Sequence, residues 1–399
     1  MALGLFVAIA TFTGIYTFLR GLQEPVVDEE TGKPVPTAEV RPGEPVNVLF
    51  LGVDASRDLG LPVDRRRTDT VMVASFDPES RRVGILSIPR DTRVFIEGHG
   101  YEKVAHAHAY GGPALAMKAV GEFLDLPIHY YVRTDFEGFK NIIDILGGVE
   151  IDIEEPMHYE DKAADLYIHF EPGHYMLDGE QALLYVRYRG YRNGDIGRVE
   201  HQQKFLQALM DEVFQASTIL KLPAIAGQLA RYVDTNMSAG EMVRYARLGM
   251  SVSRENIAMA MVPGEAKWIK EDTGYVSYWI PDESALRRLV DEVLWGIDFE
   301  RNASIRVEVL NGSDTPGLAS KMADALMRQG YNVVNIGTVT GEGYATTQVI
   351  NRNGEEDKAK RVAQSVARLL GDATEVYDEV VEGSSVDVTV IVGNDYSAE

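Results

Sequence analysis

VNVLFLGVD, residues 46–54, is the stretch from which the fold can be read. It is a short apolar run closed by Gly-x-Asp, the pattern of a buried strand that presents Asp54 at its carboxyl end. Downstream, DTVMVASFD (69–77) and RVGILSIPRD (82–91) repeat that texture, the second ending in Pro89-Arg90-Asp91. GGPALAMKAVGEFLDL (111–126) switches to helical spacing at Leu115, Val120 and Leu124. HYYVRTDF (129–136) and GGVEIDIEE (147–155) are further strands, with EGFKNIIDIL (137–146) as the helix between them. GEQALLYVRYR (179–189) reads as a helix running into a group of arginines, and RVEHQQKFLQALMDEVF (198–214) as a long amphipathic helix. Strands that alternate with helices predict an α/β fold, here a three-layer αβα domain, and such sheets bind ligands at the carboxyl ends of their strands. Asp54 and Arg90 both fall at such ends.

Upstream, residues 21–45 hold five prolines and many acids, which predicts an extended linker. Before it, ALGLFVAIATFTGIYTFL (2–19) carries no charge and is followed by Arg20. At 1.5 Å per residue it spans about 27 Å, near the thickness of a hydrocarbon core, and no A-x-A-like site precedes the polar stretch. Residues 1–20 are therefore expected to be one uncleaved transmembrane helix, rather than a signal peptide or a core helix. Downstream, IAMAMVPG (257–264) is a strand and ESALRRLVDEVLWGI (283–297) the last helix of a first domain expected over 46–300. A smaller α/β domain is expected over 304–396, from a strand–turn–helix–strand pattern at 305–337 and strands in TTQVINRNG and VDVTVIVGNDY. Its Asn311-Gly312 and Pro316-Gly317 lack the glycine spacing of a phosphate loop, so a tight strand-to-helix turn is the expectation.

Composition narrows function. The chain of 399 residues has a formal net charge of −22, which argues against a nucleic-acid partner. It has no cysteine, which removes disulfides, thiol catalysis and Cys-ligated zinc. In so acidic a chain, the cluster Arg187, Arg189, Arg192 and Arg198 is informative. RRRTDT adds Arg65, Arg66, Arg67 and Asp69; SIPRDTRV adds Arg90, Asp91 and Arg93; YEKVAHAHAY adds Lys103, His106 and His108. Arginine forks grip phosphoryl oxygens bidentately, and paired carboxylates hold magnesium against phosphates. Phosphoryl transfer, which is positioning and charge neutralisation, would need no activated Ser or Cys. A pyrophosphate site is thus one reading; a solvated arginine face with Asp54 as a helix cap is the other.

Taken together and in order, LGVDASR, RRRTDTVMV, SIPRDTRV, KVAHAHAYGGPALAMKAV, DFEGFKNIIDILGGVEI, LDGEQALLYVRYR and GDIGRVEHQQ resemble the LytR-CpsA-Psr family, strongly over 46–215 and more loosely to about 297. The resemblance implies a membrane-anchored enzyme with its folded domains extracytoplasmic. Such an enzyme moves a glycan-phosphate from a polyprenyl-pyrophosphate carrier, held in an apolar tunnel, onto peptidoglycan, attaching teichoic acid, capsule or another wall polymer with Mg2+. Residue by residue, Asp54 and Asp69 match the family's magnesium-associated aspartates. Arg67, Arg90, Arg187, Arg189 and Arg198 match its pyrophosphate-binding arginines, Lys103 its lysine and Gln202 its glutamine. Asp54, Asp69, Arg67 and Arg90 are accordingly expected to be catalytic, and Asp54 or Asp69 to ease deprotonation of the acceptor hydroxyl. His106 and His108 are expected to be satisfied polar groups at a helix start. Two departures stand out: Ala105 replaces a family asparagine, and His201 a second family arginine. The C-terminal stretch resembles a domain often appended to these enzymes, with a wall-binding or partner-binding role expected. Rival readings are a polyprenyl-pyrophosphate binder or hydrolase without a wall acceptor, and a transcriptional attenuator, which the acidic charge and lack of a helix-turn-helix oppose.

Overall fold

In the computed structural model the apolar run that opens the folded chain is a strand, β1 (Val46–Val53), with Val46, Val48, Leu49, Leu51 and Val53 all buried. The structure describes residues 40, 45–53, 66–78, 80–162, 166–188, 190, 195–213, 232–271, 274–339, 343–371 and 374–397. The expected anchor and all of the expected linker but residues 40 and 45 lie outside them, as do Asp54, Arg65, Arg189 and Arg192. Among the described residues no helix is long and apolar enough to cross a membrane.

β1 pairs antiparallel with β2 (Thr68–Asp77), which pairs antiparallel with β3 (Arg82–Ile88). The hairpin β4 (Arg93–Ile96)–β5 (Gly100–Lys103) follows, turned by Gly98 and Gly100 at φ 78° and 77°, where a side chain would be strained. Then comes α1 (Val104–Leu124), whose backbone leaves helical geometry at Gly111 and Gly112 before Pro113. The helix thus begins earlier than the apolar spacing suggested, with His106 and His108 in its first turns and the glycine pair as a kink. β6 (Tyr130–Asp135) runs parallel to β1 and leads into α2 (Phe136–Leu146), capped by the Asp135 carboxylate on Gly138 N–H at 2.8 Å.

β7 (Val149–Ile153), β8 (Met157–Asp161), β9 (Leu166–Phe170) and β10 (Gly173–Leu177) stay out of the main sheet: β7 pairs with β10, and β8 with β9. Their alternating apolar positions, including Ile151, Met157, Ile168 and Phe170, bury against α3 (Gly179–Arg187) and α4 (Asp195–Val213) through Tyr185 and Phe205. β11 (Asp234–Thr235), α5 (Ala239–Met250) and β12 (Ile257–Met261) return to the sheet, whose order is β11-β6-β1-β2-β3-β12. β12 is parallel to β3, so β1, β3, β6 and β12 all end at one edge, where β2 begins. The sheet is mixed, and the fold mixed α/β: α1 packs on β2 and β6, α2 on β6 and α5 on β2. The hairpin β13 (Gly264–Glu271)–β14 (Gly274–Pro281) and α6 (Glu283–Leu289) complete this unit. The expected continuous last helix loosens into a π turn over Val290–Leu294.

A second compact unit contains Asp291–Glu399. After α7 (Phe299–Ala303) come β15 (Arg306–Asn311), α8 (Leu318–Arg328), β16 (Asn332–Thr338), β17 (Gln348–Asn351), α9 (Glu356–Leu370), β18 (Val376–Asp378) and β19 (Val388–Val392). The sheet order is β16-β15-β19-β17-β18, with β19 parallel to β15 and antiparallel to β17. Val307, Val309, Met322, Leu326, Val362, Val388 and Val390 form its core. Just before β19, the buried Asp387 carboxylate accepts from Arg306 N–H at 2.8 Å and Arg306 Nη2 at 3.1 Å. The Asn311-Gly312 segment is a side-chain-stabilised turn, as expected: Asn311 Oδ1 accepts from Ser313 N–H at 3.2 Å and its Nδ2 donates to the Thr315 carbonyl at 3.0 Å.

Candidate active site

A one-residue irregularity places the first acid. Gly52 pairs with Thr70 and Val53 with Thr68, so Asp69 is the extra residue of a β-bulge. Bulges re-aim side chains at sheet edges, and this one sits beside the carboxyl end of β1. Val53, the residue before Asp54 in the chain, pairs with the residue before Asp69.

The turn after β3 supplies the counter-charges, and its backbone is held on three sides. The Arg90 carbonyl accepts from Ala105 N–H at 3.1 Å, the Thr92 carbonyl from Val104 N–H at 2.8 Å and the Asp91 carbonyl from Trp279 N–H at 2.9 Å. From this frame Arg90 Nη1 donates to the Asp69 carboxylate, and its Nε stands 3.6 Å from Asp91. Lys103, at the start of α1, donates to Asp91 Oδ1 at 2.7 Å. Asp69, Arg90, Asp91 and Lys103 thus alternate in charge, each between 22% and 25% exposed. At that exposure each pair is only weakly stabilising, so the groups are held in place yet accessible to a ligand of either sign. Alongside them, the Arg93 guanidinium lies 4.4 Å from the Tyr101 ring centroid, and Lys103 Nζ 5.8 Å from that of Tyr278.

Both early histidines are engaged. Burial, foremost, holds His106 below the ordinary imidazole range, against its 3.0 Å bond to Glu102; the charges of Arg67 and Lys103 push the same way as burial. His108 is fully buried. Its Nδ1 lies 2.7 Å from the Arg66 carbonyl, which can only accept, so Nδ1 carries the proton and Nε2 accepts from Arg133 Nη1 at 3.2 Å. His108 therefore acts as a structural pin for the chain entering β2, where Arg67 is exposed.

Arg187 reaches the same edge from another element. Its guanidinium lies 4.7 Å from the Phe136 ring centroid, and Phe136 follows Asp135, the residue paired with Val53. The helix that delivers it, α3, starts with an Asp178–Gln181 capping box and docks closely on α2, with Gly179 N–H donating to Asp144 Oδ1 at 2.7 Å. Arg198 and Gln202 lie four residues apart on α4, one face of a helix; their side chains are outside the described residues, as Asp54 and Arg189 are altogether. At the departure from the family pattern, His201 Nδ1 donates to the Gly197 carbonyl at 2.9 Å, turned into its own helix. The structure thus joins Asp69 to Arg90 directly, links Lys103 to them through Asp91, and puts Arg67 and Arg187 at their sheet edge. It adds Asp91, to which the sequence assigned no role although it adjoins Arg90. A cavity of about 500 Å3 beside the β4–β5 hairpin is lined by charged and apolar side chains together, Arg93, Glu122 and Arg287 with Phe95, Phe123 and Leu286 among them.

The model of the LytR_cpsA_psr family matches residues 16–308, and that described as LytR cell envelope-related transcriptional attenuator matches 304–396. The polyisoprenyl-teichoic acid–peptidoglycan teichoic acid transferase TagV of Bacillus subtilis (strain 168) is 30% identical over 268 residues, 65% of this chain and 67% of its own length. The transferase of the same description, TagU of Bacillus mycoides (strain KBAB4), is 29% identical over 277 residues, 69% of this chain and 86% of its own. The crystal structure of B. subtilis TagV aligns with a TM-score of 0.54 at 30% identity, covering 63% of this chain and 98% of that one.

Proposed function

Because the chain belongs to the LytR-CpsA-Psr family, whose model spans residues 16–308, we propose that it transfers a glycan-phosphate from a polyprenyl-pyrophosphate carrier onto peptidoglycan. The polymer is a teichoic acid or another secondary wall polymer, and the reaction takes place at the outer membrane face from a single-pass anchor. The observation that carries this reading is the charge relay Asp69–Arg90–Asp91–Lys103 at the carboxyl edge of the sheet, with Arg67 and Arg187 beside it. It is supported by relatives whose names describe teichoic acid transfer to peptidoglycan.

In this reading the acceptor hydroxyl attacks the glycan-side phosphorus, the bond to the bridging oxygen breaks, and polyprenyl phosphate leaves. Arg90 and Lys103 meet the pyrophosphate from the β3 turn, while Arg67, Arg187, Arg189, Arg198 and Gln202 complete its binding. A bulge that turns a partly exposed carboxylate toward the ligand edge offers the hard oxygen donor that Mg2+ requires. Asp69, with Asp54, would hold that ion, which supplies positive charge against the phosphates. Whichever aspartate faces the acceptor takes its proton.

The test is direct. The full chain in detergent is incubated with a lipid-linked glycan, Mg2+ and wall fragments. Glycan covalently joined to wall is the expected product. Free glycan phosphate alone would reassign the protein as a hydrolase, and no turnover with intact lipid binding would reassign it as a carrier-binding protein.

A further inference from the structure

On the hairpin β8–β9, away from the sheet edge described above, His158 and His169 are direct cross-strand partners. Both lie on the exposed face, because the strands alternate and their other face, Met157, Ile168 and Phe170, is buried. Glu171 follows β9 and turns back toward both rings. Its Oε1 lies 3.1 Å from His158 Nε2 and 3.6 Å from His169 Nε2, and the two ring centroids are 4.0 Å apart at 76°. The backbone there is tied down: Tyr175 Oη donates to the Glu171 carbonyl at 2.9 Å, and Tyr175 packs edge-on against Phe170. The three ligand atoms are the kind that share an ion, all lying within 4.8 Å of one another.

We propose that His158, His169 and Glu171 form a surface site for a late first-row divalent cation, zinc foremost, that clasps the β8–β9 hairpin. The separations decide the class. Donors bound at about 2.0–2.1 Å around a tetrahedral ion stand roughly 3.3 Å apart. The 3.1 and 3.6 Å from Glu171 to the two imidazoles bracket that value, and all three ligand atoms lie within 4.8 Å of one another. Two imidazoles and one carboxylate suit zinc, nickel or copper and not the all-oxygen preference of magnesium or calcium. Side-chain exposures of 46%, 72% and 61% leave an open fourth position for water. A carboxylate merely shared by two imidazole N–H donors is the competing arrangement, and it would bind no metal. The site is independent of the proposed transfer reaction. Its mechanical effect would fall on the ladder that backs α3, since Tyr159 on β8 packs edge-on against Tyr188, next to Arg187.

An untagged full chain in detergent, stripped by a chelator, is titrated with Zn2+ against a chromophoric competitor in excess Mg2+. A tight equivalent is expected. It should vanish in His158→Ala and in His169→Ala, each weakening it by more than the roughly 10–100-fold that outer-sphere changes cost. It should survive in His99→Ala, and Zn2+ should raise Tm in the unsubstituted chain but in neither site variant. Circular dichroism confirms that the variants are folded. Absence of a tight equivalent, or one that both substitutions leave intact, or one that Mg2+ displaces, overturns the proposal.

Discussion

Replacing Arg90 by Lys separates geometry from charge at the sheet edge. The backbone of residue 90 is fixed through its carbonyl on Ala105, so the turn should persist. Charge is retained, and Lys103 already holds Asp91, so little folding energy depends on the lost guanidinium. The Arg90–Asp69 pair is 23% exposed on both sides, and such pairs contribute about 0–1 kcal/mol. For a unit of this size that is a fall in Tm of at most about 4 °C. If the fork grips phosphoryl oxygens during transfer, losing one charged hydrogen bond costs ~1.5–3 kcal/mol, or roughly 10–100-fold in rate. The assay follows labelled lipid-linked glycan into the wall fraction, alongside thermal unfolding of the same preparations. Arg254→Lys is the control: Arg254 and its ion-pair partner Asp211 are 67% and 45% exposed, and it should change neither quantity. Arg90→Lys retaining half or more of wild-type turnover while folded would refute the reasoning, as would an equal loss in Arg254→Lys.

Asp69→Asn should lower transfer by more than about tenfold at limiting Mg2+ while lipid retention changes little; near-normal turnover would remove Asp69 from the metal site. Gly179→Ala places a Cβ 2.2 Å from the Lys140 carbonyl oxygen and 2.7 Å from its Cα, neither of which can swing away. It should destabilise by about 1–3 kcal/mol in chemical denaturation and lower activity by shifting the helix that carries Arg187; unchanged stability would contradict the close docking of α3 on α2. Burial, foremost, and then Glu292 raise the Asp291 carboxyl to about 6, so the folded state holds this proton more tightly than the unfolded chain. Its contribution is fully present below the unfolded value of 3.8 and is lost as pH rises through about 6. Asp291→Asn should therefore raise Tm at pH 8, with the gain vanishing near pH 4; a gain that does not depend on pH would show that the carboxyl titrates normally.

The strands and helices that position the site were legible because each is a bounded apolar run or a clear helical repeat: β1, β2, β3, β6 and α2 fall on VNVLFLGVD, DTVMVASFD, RVGILSIPRD, HYYVRTDF and EGFKNIIDIL, with ends displaced by one to three residues. Asp69, Arg90 and Lys103 were legible because they punctuate strand ends. Strand direction was not, since an antiparallel β1–β2–β3 meander and a parallel sheet are written with the same apolar runs. Nor was the bulge at Asp69, a one-residue offset in pairing that leaves no compositional mark. The apolar spacing begins only at Gly111-Gly112-Pro113, which is a kink inside the helix, whereas the reading of His106 and His108 as groups at a helix start matches its beginning at Val104. The grouping of His158, His169 and Glu171 depends wholly on register across a hairpin. In the sequence they are isolated polar residues.

The position of β19 at the centre of the second sheet bears on the order of assembly. Among the described residues it is the last strand in chain order, yet it lies between β15 and β17, and Asp387 just before it binds the backbone at the start of β15. During synthesis, β15 and β17 emerge with no strand between them. Until residues 387–392 arrive, the unit has no continuous sheet and its valine core has no closing layer. Closure of this sheet therefore waits for residues 388–392, and a chain cut before Val388 would leave an open pair of half-sheets exposed to proteolysis.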